Sequence, residues 1–124
     1  MLDQRGLIKG RVLDHGSGHG KDADTFGWEK YDPYYQPDKP EGKFDTILST
    51  FVLNVLHDER DRQEVLEDIQ GLLADSGAAY ITVRADTDQL KGWTSKGTWQ
   101  GLIELDLPVV HHTSWYTTYV LESG

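Results

Sequence analysis

Glycine stands at every second position of Gly16-Ser17-Gly18-His19-Gly20, directly after the apolar pair Val12-Leu13 and the acid Asp14. The pattern reads as a buried strand running into a loop whose backbone must come close to something. Glycine has no Cβ, so it permits both the tight turn and the close approach. Asp14 then falls at the carboxyl end of the strand, where open α/β sheets hold their ligands. An ordinary glycine-rich turn has the same look. The ligand reading draws on the acid before the glycines and on a second acid, Asp32, further along.

The order of elements around this loop is that of an α/β chain. Arg11 to Asp14 forms the first expected strand, preceded by a turn or two of helix over Leu2 to Lys9 and a break at Gly10. Lys21 to Phe26 leaves room for a helical stub. Trp28 to Asp32 is the second strand, stopped by Pro33, which cannot donate to a ladder. Tyr34 to Lys43, with Pro37, Pro40 and Gly42, reads as a loop, and Phe44 to Ser49 as a buried strand. Between Asp58 and Asp75 the residues Val65, Leu66, Ile69, Leu72 and Leu73 follow the one-face spacing of a helix. Asp58 is placed to cap it, acids fill its first turn, and Gly77 is expected as its left-handed stop. Ala78 to Arg84 is the next strand, making strand–helix–strand a parallel crossover. Leu102 to Val110 and Trp115 to Leu121 are expected as an antiparallel pair.

Composition narrows the function classes. A chain of 124 residues is expected to form one domain, residues 1–124, with a modest core. The absence of cysteine excludes disulfides and thiolate metal sites. The formal charge of −9 disfavours a nucleic-acid partner, because a phosphate backbone calls for a basic surface. No apolar run reaches membrane-spanning length and the first five residues do not read as a signal peptide, so no membrane partner and a cytoplasmic location are expected.

Two nucleotide fingerprints fail on spacing. A dinucleotide loop starting at Gly16 and Gly18 needs a glycine where Lys21 stands. A P-loop ending in Gly20-Lys21 needs a glycine at His15 and a Ser or Thr at Asp22. What remains is an acid, the three alternating glycines, and an acid closing the next strand. That arrangement suits a zwitterionic, sugar-bearing ligand whose ribose diol donates to the carboxylate of Asp32.

These residues, taken with others in order, make the chain resemble the class I S-adenosylmethionine-dependent methyltransferases. The matching segments are Val12 to Gly20, Asp32, Phe44 to Leu56, and Leu72 to Gly77 at the end of the expected helix. The likeness covers roughly residues 6 to 86. A finer likeness, to methyltransferases found beside DNA phosphorothioation systems, rests on Asp32-Pro33-Tyr34-Tyr35 and Val52-Leu53-Asn54-Val55. The resemblance implies S-adenosylmethionine as cofactor. Gly16 and Gly18 would pack against it, and Asp14 would organise its methionine end. Asp32 would bind the ribose hydroxyls, Ser49, Thr50 and Phe51 would border the sulfonium, and Asn54 would lie near the methyl-transfer region. Asp32 also suits a plain turn residue, and Asn54 a cap on the apolar segment around it.

Departures from the family are as informative. Twelve residues separate Asp32 from Asp45, too few for the usual third strand and its helices. The expected fold is therefore a reduced Rossmann-like class I methyltransferase sheet without that strand, ending in an antiparallel hairpin. The acid that faces adenine after the third strand has no counterpart, and Tyr34, with Tyr35, would hold the purine by stacking, although tyrosines this near two prolines also suit packing of the loop itself. No catalytic residue is legible, and His15 and His19 lie on a glycine loop, so no metal site is expected. His111 and His112 include a candidate base, although neighbours on a strand face opposite ways and one would simply pack. Ser49-Thr50-Phe51-Val52 stands where amino-directed DNA methyltransferases carry Asn-Pro-Pro-Tyr, and there is no cysteine for cytosine-C5 chemistry. Trp93, Trp99 and Trp115 would serve a substrate pocket, an interface or the core.

The reading is methyl transfer from S-adenosylmethionine to an unidentified acceptor, small or macromolecular. Its rivals are an inactive cofactor-binding partner or regulatory subunit, and an enzyme that cleaves the cofactor. Association with a second copy or a partner subunit stays open.

Overall fold

A computed structural model describes residues 8, 10–16, 27–32, 38–50, 52, 53, 56, 58–84 and 105–123, and the backbone of 92, 93, 99 and 100. The elements are β1 (Val12–His15), β2 (Glu29–Tyr31), β3 (Phe44–Thr50), α1 (Glu59–Leu72), β4 (Leu73–Arg84), β5 (Gly92–Trp93), β6 (Trp99–Gln100), β7 (Val109–His112) and β8 (Tyr116–Glu122). Six of these strands share a sheet in the order β2-β1-β3-β4-β8-β7. The first four run parallel. β8 returns antiparallel between β4 and β7, and β7 pairs antiparallel with β8. Among the described residues no strand lies outside β2, as the short link between Asp32 and Asp45 requires.

Alternation along the strands sorts the core into two layers. Leu13, Phe44, Ile47 and Ala79 face α1 and close around Ile69 and Leu73. That layer continues through Leu53, Ile81, Val83 and Tyr119, with Val65 of α1 touching both parts. On the opposite face Val12, Leu48 and Tyr80 pack with Ile8, Trp28, Val110 and Val120. The polar pair buried in the sheet satisfies itself, Thr82 and Thr118 sharing a 2.8 Å hydroxyl hydrogen bond. At the amino end, Arg11 grips both oxygens of Glu29 at 2.5 and 2.7 Å, and its guanidinium lies 4.2 Å above the Phe44 ring.

The helix begins where the sequence places it. The Asp58 side chain accepts from the Arg60 amide at 2.8 Å, and Glu59 and Asp61 stand in the first turn. Its end differs from expectation. The helix stops at Leu72, and the left-handed residue is Ser76 (φ 65°), not Gly77. The cause lies in the register: Phe44 pairs with Leu73 and Thr46 with Ala78, so Ala74 to Gly77 bulge out of the ladder. Gly77 is needed for closeness, since a Cβ there would stand 2.9 Å from the carbonyl oxygens of both Ala74 and Phe44.

The antiparallel pair near the end is present, shifted along the chain. Its first strand is Val109–His112 instead of Leu102 to Val110, and Leu105 to Pro108 run outside the ladder. The short pair β5–β6 forms where the sequence pattern predicts no strand. The helical turns expected over Leu2 to Lys9 and Lys21 to Phe26 fall outside the described residues, apart from Ile8.

Candidate active site

Three parallel strands bring Asp14, Gly16, Asp32, Ser49 and Thr50 towards one edge. Asp14 is level with Lys30 and Leu48, and His15 with Tyr31. One step further along the same register, Gly16, Asp32 and Thr50 stand at the carboxyl ends of β1, β2 and β3. Asp14 is buried within β1, facing away from α1 with Val12. Asp32 is half-buried, Ser49 is buried and Thr50 is exposed. Gly18, Tyr34, Phe51 and Asn54 lie outside the described residues.

Gly16 turns the chain. Its φ of 80° lies in the left-handed region, which side chains with a Cβ rarely adopt. Its amide donates to the Tyr31 carbonyl at 2.7 Å, carrying the β1–β2 ladder one residue past β1. A Cβ at this position would stand 2.5 Å from Cγ2 of Val52. The first glycine of the loop is thus required both by conformation and by space.

A polar cluster that the sequence does not mark lies beneath that turn. His15 is buried on the α1 face, and its Nε2 lies 2.6 Å from Oδ2 of Asp68. The other Asp68 oxygen accepts from Lys39 Nζ at 2.6 Å. Tyr31 stands edge-on to the His15 ring at 5.2 Å, and Lys39 Nζ is 5.0 Å from the Tyr31 centroid. Burial pushes the His15 pKa below the usual histidine range, against the pull of Asp68. Burial acts upward on Asp68, yet its bonds with Lys39 and His15 outweigh that and hold its carboxyl low. Neutral His15 therefore donates Nε2–H to an ionised Asp68. Its Nδ1 and the Ser49 Oγ are buried with no hydrogen-bond partner among the described residues. One signal in the sequence points to Asp68. It stands three residues after Val65 and four before Leu72, at the margin of the helical stripe.

The histidines of the tail do not join this edge. His112 Nδ1 pairs with the Thr117 hydroxyl at 2.7 Å, and the His111 ring lies 5.5 Å from that of Tyr116. Both belong to β7, at the far side of the sheet from β2. Trp115, in the β7–β8 turn, is 67% exposed and so is no core residue. Trp93 and Trp99 have their backbones in β5 and β6. Among the described residues no cluster of His, Asp and Glu could hold a metal ion, and no helix is long and apolar enough to cross a membrane.

No protein-family model matches the chain, and no curated protein matches its sequence. Solved structures do match its fold. DhpI in complex with S-adenosylhomocysteine superposes with a TM-score of 0.65 at 13% identity, over 96% of this chain and 80% of DhpI. The N-methyltransferase NodS from Bradyrhizobium japonicum WM9, also with S-adenosylhomocysteine, gives 0.57 at 12%, over 90% of this chain and 76% of NodS. Magnesium protoporphyrin IX methyltransferase (ChlM) from Synechocystis PCC 6803, with bound S-adenosylmethionine, gives 0.55 at 11%, over 99% and 74%. The fold is the Rossmann-like class I methyltransferase fold in reduced form, as the strand order and these neighbours together show.

Proposed function

We propose that this chain binds S-adenosylmethionine at the carboxyl edge of β1, β2 and β3 and transfers its methyl group to an acceptor. The observation that carries the reading is the meeting of Asp14, Gly16 and Asp32 on adjacent strands, with Gly16 held in a backbone turn that excludes a Cβ. The donor set suits the cofactor. Asp32 offers a carboxylate to a ribose diol, and Asp14 a carboxylate to an ammonium or its water. The buried Ser49 hydroxyl, without a partner among the described residues, stands at the end of β3 with Thr50, where the sulfonium would be bordered. Gly18 and Phe51 would pack against the cofactor beside them, Tyr34 would stack on adenine, and Asn54 would lie near the methyl-transfer region.

Bound there, the cofactor supplies an electrophilic methyl group on a sulfonium. The chain's own task is to hold the acceptor in line and exclude water, and positioning of that kind supplies a large share of such an acceleration. His111 and His112 lie on β7, across β4 and β8 from β3, too far along the sheet to serve as base at that edge. The segments Asp32 to Tyr35 and Val52 to Val55 support a place among the methyltransferases found beside DNA phosphorothioation systems.

Calorimetric titration with S-adenosylmethionine and S-adenosylhomocysteine tests the proposal. Asp32→Ala removes charge-assisted bonds to the diol, and the expected loss is about 1.5–3 kcal/mol, roughly 10- to 150-fold in affinity. Absence of binding by the intact chain would refute the cofactor site. Binding without methyl transfer to any acceptor would favour an inactive partner subunit, and breakdown of S-adenosylmethionine alone would favour a cleaving enzyme.

A further inference from the structure

We infer that Asp68 of α1 is a positioning residue for the cofactor edge, acting through His15 and Lys39 without touching the ligand. The inference rests on the cofactor reading above for its function, though not for its geometry. His15 is the residue before Gly16, and Tyr31 is the residue before Asp32. His15, at the end of β1, is bound by one carboxylate, and Tyr31, at the end of β2, touches both groups which that carboxylate binds. Asp68 Oδ2 receives the His15 ring at 2.6 Å, and Oδ1 receives Lys39 Nζ at 2.6 Å. His15 in turn abuts Tyr31, and so does Lys39 from the segment before β3.

The His15 ring is the coupling piece. Its side chain is only 6% exposed, one nitrogen is committed to Asp68, and the other is buried with no partner among the described residues. A second proton would go onto Nδ1, where none of the described residues offers an acceptor. The groups bearing on this ring are Asp68 from α1, Lys39 from the segment before β3, Tyr31 from β2 and Asp32 just after it. Burial, the largest influence, and Lys39 resist protonation, while Asp68 and Asp32 favour it. The folded chain therefore takes the proton at lower pH than the unfolded chain, whose histidine titrates near 6.5. The seat is fully stabilising above that value and weakens as pH falls through the lower, folded pKa.

The test pairs a ligand-free readout with a ligand readout on the whole chain. In ¹H–¹⁵N spectra without ligand, Asp68→Ala is expected to shift the amides of Gly16 and Asp32. Unmoved amides would overturn the inference. By calorimetry at pH 7.5, Asp68→Ala is expected to weaken S-adenosylhomocysteine at least 10-fold while the chain stays folded by circular dichroism. Asp68→Asn, which still accepts from His15, is expected to lose about threefold. Below pH 6 the wild-type affinity should fall, and His15→Gln, which keeps a donor but does not titrate, should flatten that profile. Wild-type affinity in a folded Asp68→Ala protein, or the same pH profile in His15→Gln, would also overturn the inference. If wild type binds no S-adenosylhomocysteine while the amides still move, the cofactor reading fails and the coupling stands.

Discussion

Replacing Gly16 by alanine is expected to destabilise the chain by about 3 kcal/mol and to abolish measurable binding of S-adenosylhomocysteine. Two costs add. Holding an alanine at the left-handed φ of 80° costs about 1–2 kcal/mol. Its methyl would also stand 2.5 Å from Val52 Cγ2, and relieving that overlap costs about 1–3 kcal/mol in a packed site. Relief by moving the loop would break the Gly16 amide bond to the Tyr31 carbonyl, so the β1 and β2 ends would part where Asp14 and Asp32 are held. The double variant Gly16→Ala/Val52→Ala separates the two. It removes the overlap but not the dihedral strain, so, measured against Val52→Ala, it should recover only part of the stability and part of the affinity. Chemical denaturation and calorimetry on the three variants check this. A stable Gly16→Ala with wild-type affinity would show that the turn is not the cradle.

Gly77→Ala is expected to lower stability by about 2–3 kcal/mol, read as roughly a 10 °C fall in Tm, with little effect on ligand affinity once folded. Here the neighbours are carbonyl oxygens of Ala74 and Phe44, both 2.9 Å from the new Cβ, and backbone yields less readily than a side chain. The strain would fall where β4 leaves its bulge and meets β3, far along the strands from the carboxyl edge. Gly77→Ser should behave alike, whereas Gly71→Ala on the open side of α1, with nothing within 4 Å, should be neutral or slightly stabilising. A Gly77→Ala protein as stable as wild type would mean that the bulge rearranges freely.

The parts of this fold that local chemistry dictates are legible in the amino-acid sequence. An apolar run with a glycine stop locates β1, a proline closes β2, and the capping acid Asp58 with its inward stripe locates α1. The shortness of the Asp32–Asp45 link foretells an edge without a third strand. Candidate residues at the ends of β1, β2 and β3 are legible for the same reason, because parallel strands bring their carboxyl ends together. What escapes depends on pairing between distant segments. The bulge over Ala74 to Gly77 follows from the register of β4 on β3, which no local propensity specifies, and it moves the left-handed residue to Ser76. The His15–Asp68–Lys39 cluster joins three segments through side chains that each look like solvated polar residues alone.

The return of β8 between β4 and β7 has a consequence for how the chain is made. Tyr116 and Arg84 are partners across the ladder, yet everything from residue 85 to 115 must be synthesised between them. When β4 leaves the ribosome it can pair with β3 at once, but its other edge stays open until β8 follows. That edge carries Ala79, Ile81 and Val83, all of which end up buried. A nascent chain paused in that interval would offer an apolar strand edge to its neighbours, the circumstance in which aggregation and chaperone capture begin. Slow decoding of residues 85 to 115 should therefore lower soluble yield more than slow decoding before Phe44.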